Sequence, residues 1–238
     1  MSIRTVEGIV LYKTDYSESS LIIKALTKDE GVQSFIFQGA KRKNKNGNLV
    51  SPLSILSISY YQRSDSQLAK ISAIESSVIY RSIPFDPYKS SVLFFVNEVL
   101  NKVIKEKESD QELFTFVRSI LEILDLSDRT ANFPIKFLFQ LTKYLGFYPQ
   151  FDIEGKYFDL QEGKFTKNIP NHPFYLDEQK SDILKQVAKM QFDGIEDLQI
   201  PLDIRRELIK DLIQYYKVII DNFQDLKSLS ILEATLHD

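Results

Sequence analysis

Cysteine is absent from the 238-residue chain. That excludes disulfides, zinc–thiolate sites and cysteine nucleophiles. Tryptophan is absent too, and only two histidines occur, His172 in a Pro-flanked loop and His237 near the end. A histidine acid–base pair is therefore not expected, and His172 beside Pro173 reads as a loop residue. There is no Gly-rich phosphate loop, GxSxG, HExxH or EF-hand spacing. Carboxylates fall on helix surfaces beside lysines, as from Glu207 to Asp211, the pattern of solvated faces. The chain reads as a binding protein, not an enzyme, and no cofactor or metal is expected. No run approaches the ~18 apolar residues of a membrane helix. The opening MSIRTVEGIV has neither an apolar core nor a cleavage-site pattern. A soluble, cytoplasmic protein with no membrane partner is the expectation.

What is present suits one large or two small domains. The apolar fraction is 43%, enough for a core, and aromatic packing is plentiful with 17 Phe and 12 Tyr. Net charge is −3, against coating nucleic acid through sheer basicity. Its distribution says more: residues 1–80 carry 10 Lys/Arg against 7 Asp/Glu, and the remainder 20 against 26. Positive charge is concentrated at the front.

Residues 4–80 read as strands. Thr5–Thr14 alternates, with Val6, Gly8, Val10 and Tyr12 on one side and Glu7, Ile9, Leu11 and Lys13 on the other. Ser20–Thr27, Val32–Gly39, Leu53–Gln62 and Gln67–Ser77 follow, with turn residues between them. Five short strands in some 75 residues fit an OB-fold barrel. Gly8 would suit a bulge where the first strand bends.

Between the third and fourth strands lie Lys41, Arg42, Lys43 and Lys45, among Asn44, Asn46, Gly47 and Asn48. Such a segment predicts a solvated, mobile loop. It can close over a polyanion, since these side chains contact phosphate irrespective of the base. The same charges equally suit a hydrophilic tip kept positive for solubility. Arg4, Lys24, Arg63 and Lys70 could extend a positive track or be ordinary surface charges. Phe35, Phe37, Tyr60 and Tyr61 lie on or next to the strands. Each is either core or, for Phe35, Phe37 and Tyr61, an exposed ring able to stack on a base.

Pro84 and Pro87 end the strand region, placing an OB-fold domain at 1–80 and a helical domain at 81–238. Val92, Phe95, Val96, Val99, Leu100 and Val103 follow the 3.6-residue repeat. SDQE at Ser109–Glu112 has the capping-box pattern before a second helix. Further helices are expected at about Pro134–Leu145, Asp177–Met190 and from Pro201, the last with Leu208, Leu212, Tyr215 or Tyr216, Ile219 and Phe223 as its stripe. Within 147–174, KYFDLQEGKFTK reads as strand–turn–strand with Glu162-Gly163 at the turn. The fold class is thus α+β: a five-stranded OB-fold barrel, then a helical bundle with a small β-hairpin insertion.

These stretches resemble the RecO family of bacterial DNA repair and recombination mediators. VEGIVLYKTDYSESSLIIKALTKDEG looks like the family's opening, QGAKRKNKN like its G-A-[RK]-[RK] basic loop, and SPLSILSISYYQR like its next strand. PIKFLFQLTKYLGFYPQF is similar to its L-G-[FY]-x-P helix end, and LKSLSILEAT to its closing segment. Many members carry a four-cysteine zinc site just after L-G-[FY]-x-P. This chain has the hairpin there instead, so it resembles a variant in which hairpin packing replaces the metal. The resemblance implies binding of single- and double-stranded DNA and annealing of complementary strands. It also implies work with RecR and, indirectly, with RecA, loaded onto DNA covered by single-strand-binding protein. It further implies a pocket for the acidic C-terminal tail of that protein, with Lys136, Phe137, Leu141 and Leu145 as its residues and Lys143, Arg118 and Arg129 as nearby cations. The same apolar residues would serve equally as bundle core. Two other classes stay open: an RNA-binding OB protein, and a protein-only adaptor whose basic loop meets an acidic partner.

Overall fold

A computed structural model describes residues 3–42, 45–61, 68–104, 109–152 and 154–236. The chain divides into two compact units, Met1–Arg81 with Asn97–Glu122, and Ser82–Val96 with Ile123–Asp238. Residues 97–122, read from the sequence as part of the helical domain, thus group with the barrel.

In the first unit, β1 (Arg4–Asp15), β2 (Leu21–Thr27), β3 (Gly31–Phe37), β4 (Ile55–Tyr61) and β5 (Ala69–Ser76) close into a barrel of order β1-β2-β3-β5-β4. Closure depends on the length of β1, which pairs with β4 over Arg4–Ile9 and with β2 over Gly8–Asp15. A short parallel pairing of β3 with β5 seals the other side. This is the OB-fold arrangement, as expected. Period-two alternation sends Val6, Val10, Ile23, Ala25, Phe35, Phe37, Ile58 and Tyr60 into one apolar cluster.

The bulge in β1 is not at Gly8. Register slips between Val10 and Tyr12, making Leu11 the extra residue. Gly8 instead answers close packing, since a Cβ there would lie 3.1 Å from Ile58 Cδ1. A bulged residue leaves the ladder incomplete. Here the Leu11 carbonyl accepts from Asn101 Nδ2 at 2.9 Å. Arg118 also reaches β1, 3.4 Å from Glu7. These contacts give residues 97–122 their place in the barrel unit.

The helices are α1 (Pro87–Val103), α2 (Gln111–Leu126), α3 (Phe133–Tyr144), α4 (Glu178–Lys189), α5 (Leu202–Ile219) and α6 (Ser228–Thr235). Asp110 rather than Ser109 caps α2, accepting from the Leu113 amide at 2.8 Å. Asp177 caps α4 through the Lys180 amide at 2.9 Å. In the second unit α3 packs against α4 and α5, and Tyr216 of α5 donates to the Leu138 carbonyl at 2.7 Å. Ile219 is exposed, not part of the α5 stripe, and Phe223 is buried beyond the helix end.

The hairpin segment forms β6 (Tyr157–Asp159) and β7 (Lys164–Thr166), joined by β8 (Tyr175–Leu176) in the order β7-β6-β8. Gly163 takes φ +64°, a left-handed conformation that favours glycine. Rings fill the space beneath: Phe158 lies 4.9 Å from Phe165 and 5.3 Å from Tyr215, and Phe151 stacks on Phe165 at 5.0 Å.

Candidate nucleic-acid interface

The basic segment is not a hairpin tip. Its flanking strands β3 and β4 are not neighbours in the barrel, so it is a crossover. Its described residues are anchored at both ends. Ala40, Val50 and Leu53 are buried. The Lys41 amide donates to the Ser19 carbonyl at 3.1 Å, and the Val50 amide to that of Gly47 at 3.2 Å. Gly47 sits so close to the Ala40 carbonyl that a Cβ would lie 2.7 Å from its carbon. Between these anchors Lys41, Arg42 and Lys45 are exposed. Lys43 lies outside the described residues.

Lys41 and Arg42 border a concavity of about 570 Å³, together with Lys13, Asp15, Leu21 and Ala40. Lys13 Nζ donates to the Val50 carbonyl at 2.6 Å, and Lys41 Nζ lies 2.8 Å from Asp15. Three cations and one carboxylate therefore share this opening. Such a site can neutralise a phosphate through Lys13, Arg42 and Lys41 once Lys41 exchanges Asp15 for the anion.

Lys13 is a site residue that the sequence reading did not name as one: strict alternation puts it on the side of Glu7, Ile9 and Leu11, and nothing local brings it to the basic segment. The Leu11 bulge reverses the phase. Beyond it Lys13 pairs with the core residue Ile23, and Tyr12 pairs with Lys24.

The same registers assemble the outer face. Lys24 lies opposite Ser34 on β3, and Lys70 of β5 lies between Ile36 of β3 and Tyr61 of β4. Lys24, Lys70 and Tyr61 thus share a face with Tyr12 and are half-buried. Arg4 is exposed, 3.8 Å from Glu30, whose carboxylate also accepts from the Tyr60 hydroxyl. Arg63 lies outside the described residues. The two phenylalanines considered for stacking do not reach this face. Phe35 and Phe37 are 0% and 1% exposed, and Phe35 packs edge-on against Tyr60 at 5.2 Å. They are barrel core, with no ring face open to a base.

The residues read as a tail pocket are dispersed. Phe137 and Leu141 are fully buried between helices. Lys136 is also buried, its Nζ 2.9 Å from the Val187 carbonyl, and burial lowers its pKa to about 8. Arg118 belongs to the barrel unit and pairs with Glu7 and Glu122. Lys143 is exposed and Leu145 half-buried. Arg129, 3.0 Å from Asp197, borders a second concavity of about 320 Å³ with Asn132, Glu196 and Arg205. Glu196 accepts from the Asn132 amide at the start of α3, while burial raises its pKa.

The zinc site expected of many family members finds no counterpart in the residue chemistry. The chain has no cysteine, and among the described residues no group of three or more His, Cys, Asp or Glu is placed to hold a metal. The single His172–Asp159 contact of 3.3 Å is too small a donor set.

Comparison with known proteins matches the barrel and the helices to two parts of one family. Residues 1–80 match the model described as Recombination protein O N terminal, and residues 84–229 its C-terminal counterpart. The chain belongs to the RecO family. It is 33% identical to the DNA repair protein RecO of Flavobacterium psychrophilum, over 98% of each chain. It is 32% identical to that of Flavobacterium johnsoniae over 98% of each chain, and 27% identical to that of Azobacteroides pseudotrichonymphae over 96% of this chain and 97% of that protein. As a RecO-family DNA repair protein it carries the OB-fold barrel of that family with cations gathered at one opening. Among the described residues no helix is long and apolar enough to cross a membrane.

Proposed function

We propose that this RecO-family protein binds single- and double-stranded DNA through the barrel opening, anneals complementary strands, and acts with RecR to load RecA onto DNA covered by single-strand-binding protein. The observation that carries the binding step is the convergence of Lys13, Lys41 and Arg42 on one concavity, with Lys45 exposed beside it. Contacts with phosphate are indifferent to sequence, as a repair protein that meets any sequence requires. No covalent step is needed: a modest basic surface screens repulsion between two strands without gripping their bases. Of the residues read as a tail pocket, Arg129, Lys143 and Leu145 keep surface that an acidic tail could reach, and we place that partner's contact with them. Action is placed in the bacterial cytoplasm, at the nucleoid.

The test is fluorescence-anisotropy titration of a labelled single-stranded oligonucleotide over a salt series. If Lys41, Arg42, Lys43 and Lys45 all contact phosphate, the log–log slope contributed by them is roughly −3. Replacing all four with alanine is expected to weaken binding and flatten the slope by that amount. A variant that binds like wild type removes the loop from the DNA site. A matched RNA binding more tightly than DNA would favour the RNA-binding reading, and no binding at low salt would favour a protein-only adaptor.

A further inference from the structure

The barrel presents two aromatic rings that nothing above assigns. Tyr12 is 54% and Tyr16 60% exposed, unusual for residues of a unit whose other large rings are mostly core. Tyr12 faces outward because Leu11 bulges, and it stands opposite Lys24 in the β1–β2 register. Residues directly opposite on one sheet face bring their Cβ atoms to about 5 Å, so the two side chains rise side by side from the barrel. Tyr16 follows Asp15, which borders the basic concavity, in the turn between β1 and β2. That turn is fixed by the Tyr16 amide, which donates to the Ser20 carbonyl at 3.0 Å, and by the Lys41 amide on Ser19.

We propose that Tyr12 and Tyr16 are base-stacking residues of this protein, holding unpaired bases of a single DNA strand whose phosphates run from Lys24 to the concavity of Lys13, Lys41 and Arg42. This rests on the DNA-binding reading above and adds to it a preference for unpaired strands. The outer face of β2 and β3 and the turn after β1 are where OB-folds commonly receive oligonucleotides. Cations alone hold single and double strands alike. A ring can hold only a base that has left the duplex stack, and it tolerates any base because each has a π-face. Charge fits the same occupant: Tyr12 stands opposite Lys24 in the register, and Tyr16 follows Asp15 at the border of the concavity that Lys13, Lys41 and Arg42 line.

The experiment compares wild type, Tyr12→Ala, Tyr16→Ala, the double alanine variant and the double phenylalanine variant on oligo-dT and on a duplex of matched length. Circular dichroism checks that each variant is folded. Each alanine substitution is expected to weaken oligo-dT binding about 5- to 150-fold, the size of one base stack. The salt slope should stay unchanged, since no phosphate contact is lost, and duplex affinity should stay within about twofold of wild type. The phenylalanine variant keeps both rings and should bind like wild type. Oligo-dT affinity unchanged in the double alanine variant, while the four-residue loop variant is weakened, overturns the stacking assignment alone. Equal loss in the alanine and phenylalanine variants also overturns it, because the hydroxyl would then be the contact. Absence of oligo-dT binding by wild type overturns the DNA-binding reading and the stacking with it.

Discussion

Lys136 caps α4 from inside the helical unit: its ammonium donates to the Val187 carbonyl at 2.9 Å, in the last turn of that helix. The last four carbonyls of a helix lack partners within it and carry partial negative charge. A cation there is favourable, but at 3% exposure it is also largely cut off from water. Desolvation wins, and the pKa falls from 10.5 to about 8.

The sign of the resulting pH dependence is fixed. Below pH 8 both folded and unfolded chains hold the proton. Between about 8 and 10.5 the unfolded chain binds more protons, so stability from this site rises with pH. The full effect is on the order of 3 kcal/mol. In urea melts, wild type should gain on Lys136→Met between pH 7 and pH 10. A gap between the two that does not change with pH would show that Lys136 titrates normally.

Asp15 competes with DNA for Lys41, given their 2.8 Å contact. Asp15→Asn removes that competitor and should raise single-strand affinity at low salt by about 2- to 5-fold, the size of an exposed ion pair. The gain should fade as salt is added. Weaker binding by this variant would mean that phosphate does not enter at Lys41.

Gly47→Ala forces a methyl group against the Ala40 carbonyl. Overpacking of this kind costs about 1–3 kcal/mol, and the crossover would have to shift to relieve it. The expected outcome is a lower urea midpoint together with weaker DNA binding. A variant matching wild type in both would show that the close approach is dispensable.

The small sheet is held by rings, with Phe158 fully buried between Phe165 and Tyr215. Phe158→Ala should cost about 3–5 kcal/mol. Incubation with a strong chelator should leave the wild-type melting curve unmoved. A chelator-induced drop would put a metal back into this segment.

Much of this was legible in the residues themselves. The five barrel strands, five of the six α-helices among the described residues and the hairpin follow from local pattern and turn chemistry, because apolar period and turn residues act over a few positions. The cluster Lys41, Arg42 and Lys45 was visible for the same reason, being contiguous. The helix α6 and the strand β8 were not read from periodicity: eight residues and two residues are too short to show it. Residues 97–122 look helical in sequence, and tertiary contacts, among them those of Asn101 and Arg118 with β1 and of Gln111 with Asp29, join them to the barrel unit.

The sequence by itself determined which side chains alternate along β1 and how many cations the front of the chain carries. Only the tertiary structure decided which way Tyr12 and Lys13 face. Closing the barrel requires β1 to bend, the bend inserts Leu11 as an unpaired residue, and one inserted residue moves every later side chain to the opposite face. Tyr12 is thereby turned outward beside Lys24, and Lys13 comes to the opening where Lys41 and Arg42 already stand.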